Sequence, residues 1–515
     1  MKHTLKHTTT TTMKRRLRRR VKIDGPLGQT SSAYATLTDL PNELVEKIVD
    51  DLDDDGSICR LSLTCKRLHF LVLPMFFSRS ELENLQNGFF HCHDPVPELL
   101  EAIRTALFVH SLSTFTFYFT TKIDQVISDI SSLRGLLARI PPVGTIVLGL
   151  PENIGYAPGI RKMERWGRAF LKLLETIDSS GCRDLRLLDP IGYPRNNFFN
   201  DLYVAAHPPA KPKGTKSRGM RNSGGFRPHR STGMSTIQIL SPRLFQPFFI
   251  RWIIDMLKVN RESLVCIHLN IPSIHPVLKS MNFPAIKEVD ISSQFNLVWV
   301  GLCRFLNRHP SITSLRLDGI IPFKDQIFDS PIILPYLTQL TAMSPIVNLL
   351  LQHRNRVPLL SFVHVLLRGN VQCQLDPLAA IATHAHISSL QLSSVPVDNI
   401  CLTLERHVRE DKSTRIITSL GHIRSVVVDQ PVHPGRSSPS AVKRWFYLFP
   451  HLEHVSLSFR LLCARVRVSD EERHGVVTEF ATQLAADRPT VKTLSVGSLP
   501  AVNLDDLRRM PGFKA

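Results

Sequence analysis

The chain has 515 residues, 43% of them hydrophobic and 21% charged, and a formal net charge of +19. That length accommodates two to four average domains, or one long repeat array with a module attached, and the apolar fraction excludes a wholly disordered chain. The charge is local: residues 1–22 hold nine Lys/Arg and residues 205–235 hold seven, neither with an acid, so the folded body is nearly neutral and is not built to bind nucleic acid by charge.

Residues 1–35 are expected to be a disordered basic tail, since few large apolar side chains accompany the charge. Within it Lys14, Arg15, Arg16, Arg18, Arg19 and Arg20 are candidates for a nuclear import signal.

Residues 36–80 read as three short helices. Pro41 and Glu43 suit a first helical turn, where a missing N–H is harmless and a negative charge favours the dipole. Leu40, Leu44, Ile48 and Leu52 then recur every four residues as one apolar stripe, which Val45 and Val49 widen. Asp53-Asp54-Asp55-Gly56 breaks the helix, and Ser57 to Cys65 supplies a second with Ile58, Leu61 and Cys65 inward. The third is expected from Lys66 to Leu73, stopped by Pro74. Between Leu37 and Phe77, 20 of 41 residues are apolar, more than so small a unit can hide, and a partner surface is the economical explanation.

This run resembles an F-box, the module by which substrate receptors dock onto the Skp adaptor of cullin–RING ubiquitin ligases. The matching elements are Leu40-Pro41, Glu43-Leu44, Ile48, Leu52, Leu61, and Leu63 with Cys65-Lys66-Arg67. Leu68 stands where many members carry Trp. The resemblance implies that Leu40, Pro41, Leu44, Ile48, Leu52, Leu61, Leu63, Cys65, Lys66 and Leu68 bind a Skp-type adaptor, and through it a cullin–RING ligase.

Residues 81–110 are expected to be a connecting helix, from about Pro97 to His110, with Leu99, Leu100, Ile103 and Leu107 on one side. Across 111–500 one phrase recurs: apolar, two variable, apolar, one variable, apolar. Its best copies start at Leu264, Ile286, Ile312, Leu337, Phe362 and Ile387, 22 to 26 residues apart. Looser copies start at Leu112, Val143, Cys182, Met234, Ile423, Leu452 and Val491. Helical stretches lie between, among them 161–177, 248–259, 297–307 and 476–486. One strand and one helix per repeat is the pattern of a solenoid, because neither buries its apolar side without its neighbours. Residues 203–234, rich in Pro, Gly, Lys, Arg and Ser, read as a disordered basic insertion, and 501–515 as a C-terminal tail.

The chain thus resembles the fungal-type receptors that join an F-box to leucine-rich repeats. The predicted fold class is α/β: a three-helix F-box followed by an irregular leucine-rich-repeat-like solenoid. It departs from the strict repeat, since Pro151, Pro272, Pro345 and Pro431 stand where Asn or Cys is usual and only Asn370 conforms. A conventional α/β domain with evenly spaced strands is the alternative.

Strand alternation turns Ser314, Arg316 and Asp318 away from buried Leu315 and Leu317, and does the same for Cys266, His268, Glu288, Asp290, His364, Leu366 and Arg368. From that face His268, Asp290, Arg316, Asp318, Arg368, Gln391 and His454 are candidates for binding an unknown target protein. The expected role is a substrate-recognition adaptor, whose chemistry is positioning. A nuclear protein- or nucleic-acid-binding scaffold using the basic tail, independent of ubiquitination, is the alternative; specific nucleic-acid binding is not the expected function.

No H-E-x-x-H, G-x-S-x-G or Walker-type loop occurs, so no enzyme and no cofactor is predicted. No metal site is predicted either: the nine cysteines lack a C-x-x-C pair, and His91-Cys92-His93 has no distant partner pair. Scattered cysteines without a secretory stretch imply reduced thiols in cytoplasm or nucleus, and no apolar run is long enough for a membrane span.

Overall fold

The computed structural model describes residues 37–93, 98–120, 122–150, 160–189, 233–245, 247–271, 281–293, 299–319, 331–352, 355–368, 377–395, 420–429, 439–462 and 469–511, with residues 95 and 408. The basic tail with its import candidates, most of the basic insertion, and Pro151, Pro272, Asn370 and Pro431 lie outside the described residues. Two compact units result, one ending at Val72 and the other beginning at Leu73.

In the first unit, α1 (Asn42–Asp50) and α2 (Asp55–Ser62) precede α3 (Lys66–Arg79), which contains the boundary. The acidic run that ends α1 also starts α2. Asp54 accepts from the backbone N–H groups of Gly56 and Ser57, satisfying donors that every helix start leaves open. The Ser57 hydroxyl and these N–H groups hold its carboxyl below the usual carboxylate range. The third helix does not stop at Pro74, as its sequence predicts. The proline lies inside α3, and the helix continues because Leu73, Phe76 and Phe77 on either side of it are buried. Their burial outweighs the roughly 3 kcal/mol that an interior proline costs.

The second unit is a fifteen-stranded sheet whose order is the order of the chain. Its strands are β1 (Phe89–Cys92), β2 (Thr114–Tyr118), β3 (Thr145–Gly149), β4 (Asp184–Leu188), β5 (Thr236–Ile239), β6 (Cys266–Asn270), β7 (Glu288–Ser292) and β8 (Ser314–Asp318). There follow β9 (Gln339–Met343), β10 (Phe362–Arg368), β11 (Ser389–Val395), β12 (Ser425–Asp429), β13 (His454–Leu457), β14 (Thr493–Val496) and β15 (Val502–Asn503). Neighbours pair in parallel up to β14, and β15 returns antiparallel. Described helices between strands are α4 (Leu99–Thr105), α5 (Ile123–Leu137), α6 (Ile160–Ser179), α7 (Pro247–Val259), α8 (Trp299–Arg308), α9 (Ser344–Leu350), α10 (Pro377–Ala382), α11 (Pro439–Trp445) and α12 (Asp470–Asp487); α13 (Leu504–Arg509) follows β15.

The recurring apolar phrase falls on β2 through β14. Its second and third positions are the buried side of each strand, as in Leu315 and Leu317 of β8 or Ile267 and Leu269 of β6. Buried helix residues such as Trp252, Met256, Phe305 and Leu484 complete the core. One copy is slipped. Phe362 opens β10 on the less buried face, and the residues matching Leu337-Leu340-Ala342 are Leu360-Val363-Val365. A slip of two residues leaves every side chain on its own face, so the predicted outward positions on β10 survive it.

Three expectations about the ends need correction. Segment 81–110 holds β1 as well as α4, so the sheet starts before residue 111. Leu107 lies beyond the end of α4 and is exposed, while Leu99, Leu100 and Ile103 are buried. Residues 501–515 include β15 and α13 rather than only a tail, because the edge of β14 offers backbone partners. Pro345 begins α9, a position that proline suits, so it ends a strand by starting a helix.

A second set of bonds ties the turns that precede the strands. The N–H of Lys287 donates to Val265 C=O, that of Thr313 to Lys287, that of Thr338 to Thr313, and that of Ser361 to Thr338. Buried polar side chains reinforce these joints. Asn260 accepts from the N–H of Met234 and donates to Met256 C=O. His309 accepts from the N–H of Phe283 at Nε2 (2.9 Å) and donates through Nδ1 to Phe305 C=O (2.7 Å). Asn355 accepts from the N–H of Ile332 and donates to Leu349 C=O. Each clasp joins the turn before one strand to the turn before the preceding strand.

His309 is the titratable clasp. Burial, and secondarily the charge of Arg308, push its imidazole down to about 4, against the bond to Phe305 that raises it. Between an unfolded value near 6.5 and that folded value, the unfolded chain binds the extra proton, so stability falls as pH drops through the window. We expect urea unfolding of the second unit to lose about 2 kcal/mol more in wild type than in His309→Asn between pH 7 and pH 5. Equal losses in the two proteins would contradict this account of the clasp.

Candidate functional site

Two surfaces carry the residues singled out by sequence. On the first unit, Val45 and Val49 are the buried face of α1, and Leu44 and Ile48 of the adjacent stripe are 46% and 37% exposed. Ile58 is buried in α2, together with Cys59 and Ser62, while Leu61 and Cys65 are half-buried. Leu63 is 48% exposed, Pro41 and Lys66 are exposed, and Leu40 and Leu52 are half-buried. Leu68 departs from the set: it is only 1% exposed, one helical turn from buried Val72, and is a core residue rather than a docking one.

The Cys-Lys-Arg element organises this surface. Leu68 N–H donates to Cys65 Sγ at the start of α3, and Arg67 Nη2 donates to Leu40 C=O and to Asn42 Oδ1 (2.6 Å). The guanidinium thereby fixes the Leu40-Pro41 entry to α1 against the beginning of α3. Phe70, outside the set predicted from sequence, is 53% exposed and lies on the side of α3 opposite buried Leu68 and Val72. No sequence signal marked it, because the inward side of α3 is fixed only by that burial.

On the second unit, cross-strand register lines up one polar row: Arg186, Gln238, His268, Asp290, Arg316, Thr341, His364 and Gln391 on β4 to β11. His268, Asp290, Arg316 and Gln391 therefore share a row. Asp318 belongs to the adjoining row with Asn270 and Ser292. His454 lies on β13, far along the row that starts at Phe89 and includes Asp184, Cys266 and Glu288, and its Nδ1 is 2.8 Å from Thr493 Oγ1. Arg368 ends β10.

The polar row is electrostatically knitted. Arg186 donates to both carboxylate oxygens of Asp184, and Arg316 Nε is 3.8 Å from Asp290 Oδ2. Burial pushes the Asp290 carboxyl above the usual range, opposed by Arg316 and His268. Burial, with the Arg316 charge, takes His364 down to about 4, and its Nε2 is 2.8 Å from Ser393 Oγ. Cys266 Sγ is 3.2 Å from His268 Nε2, which is 3.3 Å from Glu288 Oε1, and burial first, then Glu288, pushes the thiol up to about 12. Asp184, Arg186, Cys266 and Glu288 were missed as site residues. The alternation that selected their neighbours applied to them equally.

Residues 37–77 match the family model described as the F-box domain. No curated protein sequence matches the chain. Among the described residues no helix is long and apolar enough to cross a membrane.

Side chains that are exposed in the chain contribute little to its own stability. We expect Leu44→Asp to change stability by less than about 0.5 kcal/mol, while Val49→Ala, on the buried face one residue beyond Ile48, costs about 2 kcal/mol. Hydrogen exchange protection of α1 and α2 is the measurement, and comparable losses in the two variants would show that Leu44 belongs to the core.

Proposed function

We propose that this chain is a substrate-recognition adaptor of a Skp–cullin–F-box ubiquitin ligase, working in cytoplasm or nucleus. The carrying observation is that the F-box match at 37–77 coincides with a set of exposed apolar side chains, Leu44, Ile48, Leu63 and Phe70, on a small helical unit. Covering them with a partner removes apolar area from water, worth about 25 cal/mol per Å2 before association costs. The partner is a Skp-type adaptor, and through it a cullin–RING assembly. Leu40, Pro41, Leu52, Leu61, Cys65 and Lys66 complete the docking surface.

The fifteen-stranded unit is the target-holding part. Its chain-order parallel strands, the 22 to 27 residues between successive phrase starts from Leu264 to Ile387, and the helices between support reading it as an irregular leucine-rich-repeat-like solenoid. His268, Asp290, Arg316, Asp318, Arg368, Gln391 and His454 are then the candidates for target contact. The row mixes both signs of charge, which suits a protein surface with complementary ion pairs better than a polyphosphate backbone. No reactive group need reside here: the ligase's other subunits carry the ubiquitin thioester, and this chain supplies proximity and orientation.

Titration of the full chain with a purified Skp-type adaptor tests the docking half. Replacing Leu44 and Ile48 together by Asp is expected to weaken binding by about a hundredfold, with the helical signal retained. Unchanged affinity in that variant would remove the basis for the reading.

A further inference from the structure

The second unit gathers three potential metal-ligating side chains from a 23-residue span of sequence, Cys266 to Glu288. Cys266 and His268 stand two residues apart on β6 and therefore on one face, and register sets Glu288 of β7 opposite Cys266. The sulfur, the imidazole nitrogen and a carboxylate oxygen all lie within 4.8 Å of one another. A tetrahedral ion with Zn–S near 2.3 Å and Zn–N near 2.0–2.1 Å holds its sulfur and nitrogen about 3.5 Å apart. The 3.2 Å and 3.3 Å separations here need only a small outward adjustment to admit such an ion.

We propose that Cys266, His268 and Glu288 form a binding site for a zinc-class divalent cation, with the fourth tetrahedral position open toward the polar face. The site is independent of the ligase reading and stands or falls separately from it.

The donor set is one reason. A thiolate, an imidazole and a carboxylate suit zinc, whereas magnesium and calcium take oxygen donors alone. The scaffold is the second. Two ligands come from one strand and the third from its hydrogen-bonded neighbour, so the backbone presets their spacing. The His91-Cys92-His93 run makes the contrast: it too is on a strand end, but Cys92 is buried on the opposite side from the two exposed imidazoles, and strand alternation prevents the three from converging. The surrounding charge is the third. Asp184 and Asp290 flank the cluster, and the two nearby guanidiniums are engaged, Arg186 by Asp184 (2.7 Å) and Arg316 by Asp290 (3.8 Å). With Glu288 and a metal-bound thiolate included, carboxylates and sulfur outnumber the cations and favour a dication. On binding, the Cys266 thiol gives its proton to solvent and the sulfur lone pair forms the bond to the metal; nothing is oxidised or reduced.

Titration of the full chain with Co2+ as the spectroscopic probe, and then displacement by Zn2+, tests the site. Wild type is expected to take up one equivalent showing a thiolate-to-cobalt charge-transfer band and tetrahedral ligand-field absorption. Cys266→Ser should lose the charge-transfer band, and Glu288→Gln, at a half-exposed side chain that does not support the core, should weaken binding at least about tenfold. A band that persists in Cys266→Ser would assign the metal to other cysteines and overturn the proposal. So would the absence of any thiolate band in wild type, which would leave the cluster as a cross-strand hydrogen-bonded group, or unaltered affinity in Glu288→Gln.

Discussion

Each strand of the large sheet finds its hydrogen-bond partners in the strands immediately before and after it in the chain, and this constraint governs the unit. A parallel ladder built that way has no long-range pairing to hold it, so its integrity rests on local joints repeated many times. The turns before the strands carry a second line of backbone bonds, from Val265 through Lys287, Thr313 and Thr338 to Ser361. Each of these bonds gives a turn amide a backbone partner in the neighbouring turn. Asn260, His309 and Asn355 do with their side chains what the turn ladder does with the backbone.

The two faces of that sheet divide the work. The inner face is continuous hydrocarbon, with aromatic pairs such as stacked Phe90 and Phe115 at 4.6 Å where the sheet begins. The other face is a set of polar rows whose members meet only because register is exact across the ladder. Partial burial there shifts several groups in one direction, toward neutrality: Asp290 and Cys266 upward, His364 downward.

How much of this was legible in the sequence follows from the range of the forces involved. Strand alternation and repeat spacing are local, and the phrases that start between Leu112 and Val491 fall on β2 to β14 for that reason. Phe362 fits the start of a phrase as well as Leu360 does, and hydropathy cannot tell a two-residue slip. The short strands β1 and β15 escaped notice because their pairing depends on the neighbouring edge rather than on a pattern of their own. Pro74 misled for the opposite reason: its local penalty is real, and only buried Leu73, Phe76 and Phe77 override it. Leu68 could be placed on a helix but not on a side of it until Val72 was seen to be buried with it. The approach of Glu288 to Cys266 required knowledge of which strand lies beside which, which no single segment contains.

The reversed strand β15 has a further meaning. It lies antiparallel on β14, is only two residues long, and is backed by α13, whose Arg508 donates to the carbonyls of Ala485, Arg488 and Val491. A parallel unit can no longer be stacked onto β14, because that seat is taken by a segment running the wrong way. Further chain could extend the sheet in parallel from this edge only after β15 had been peeled away, so the reversed strand acts as a stopper on the ladder.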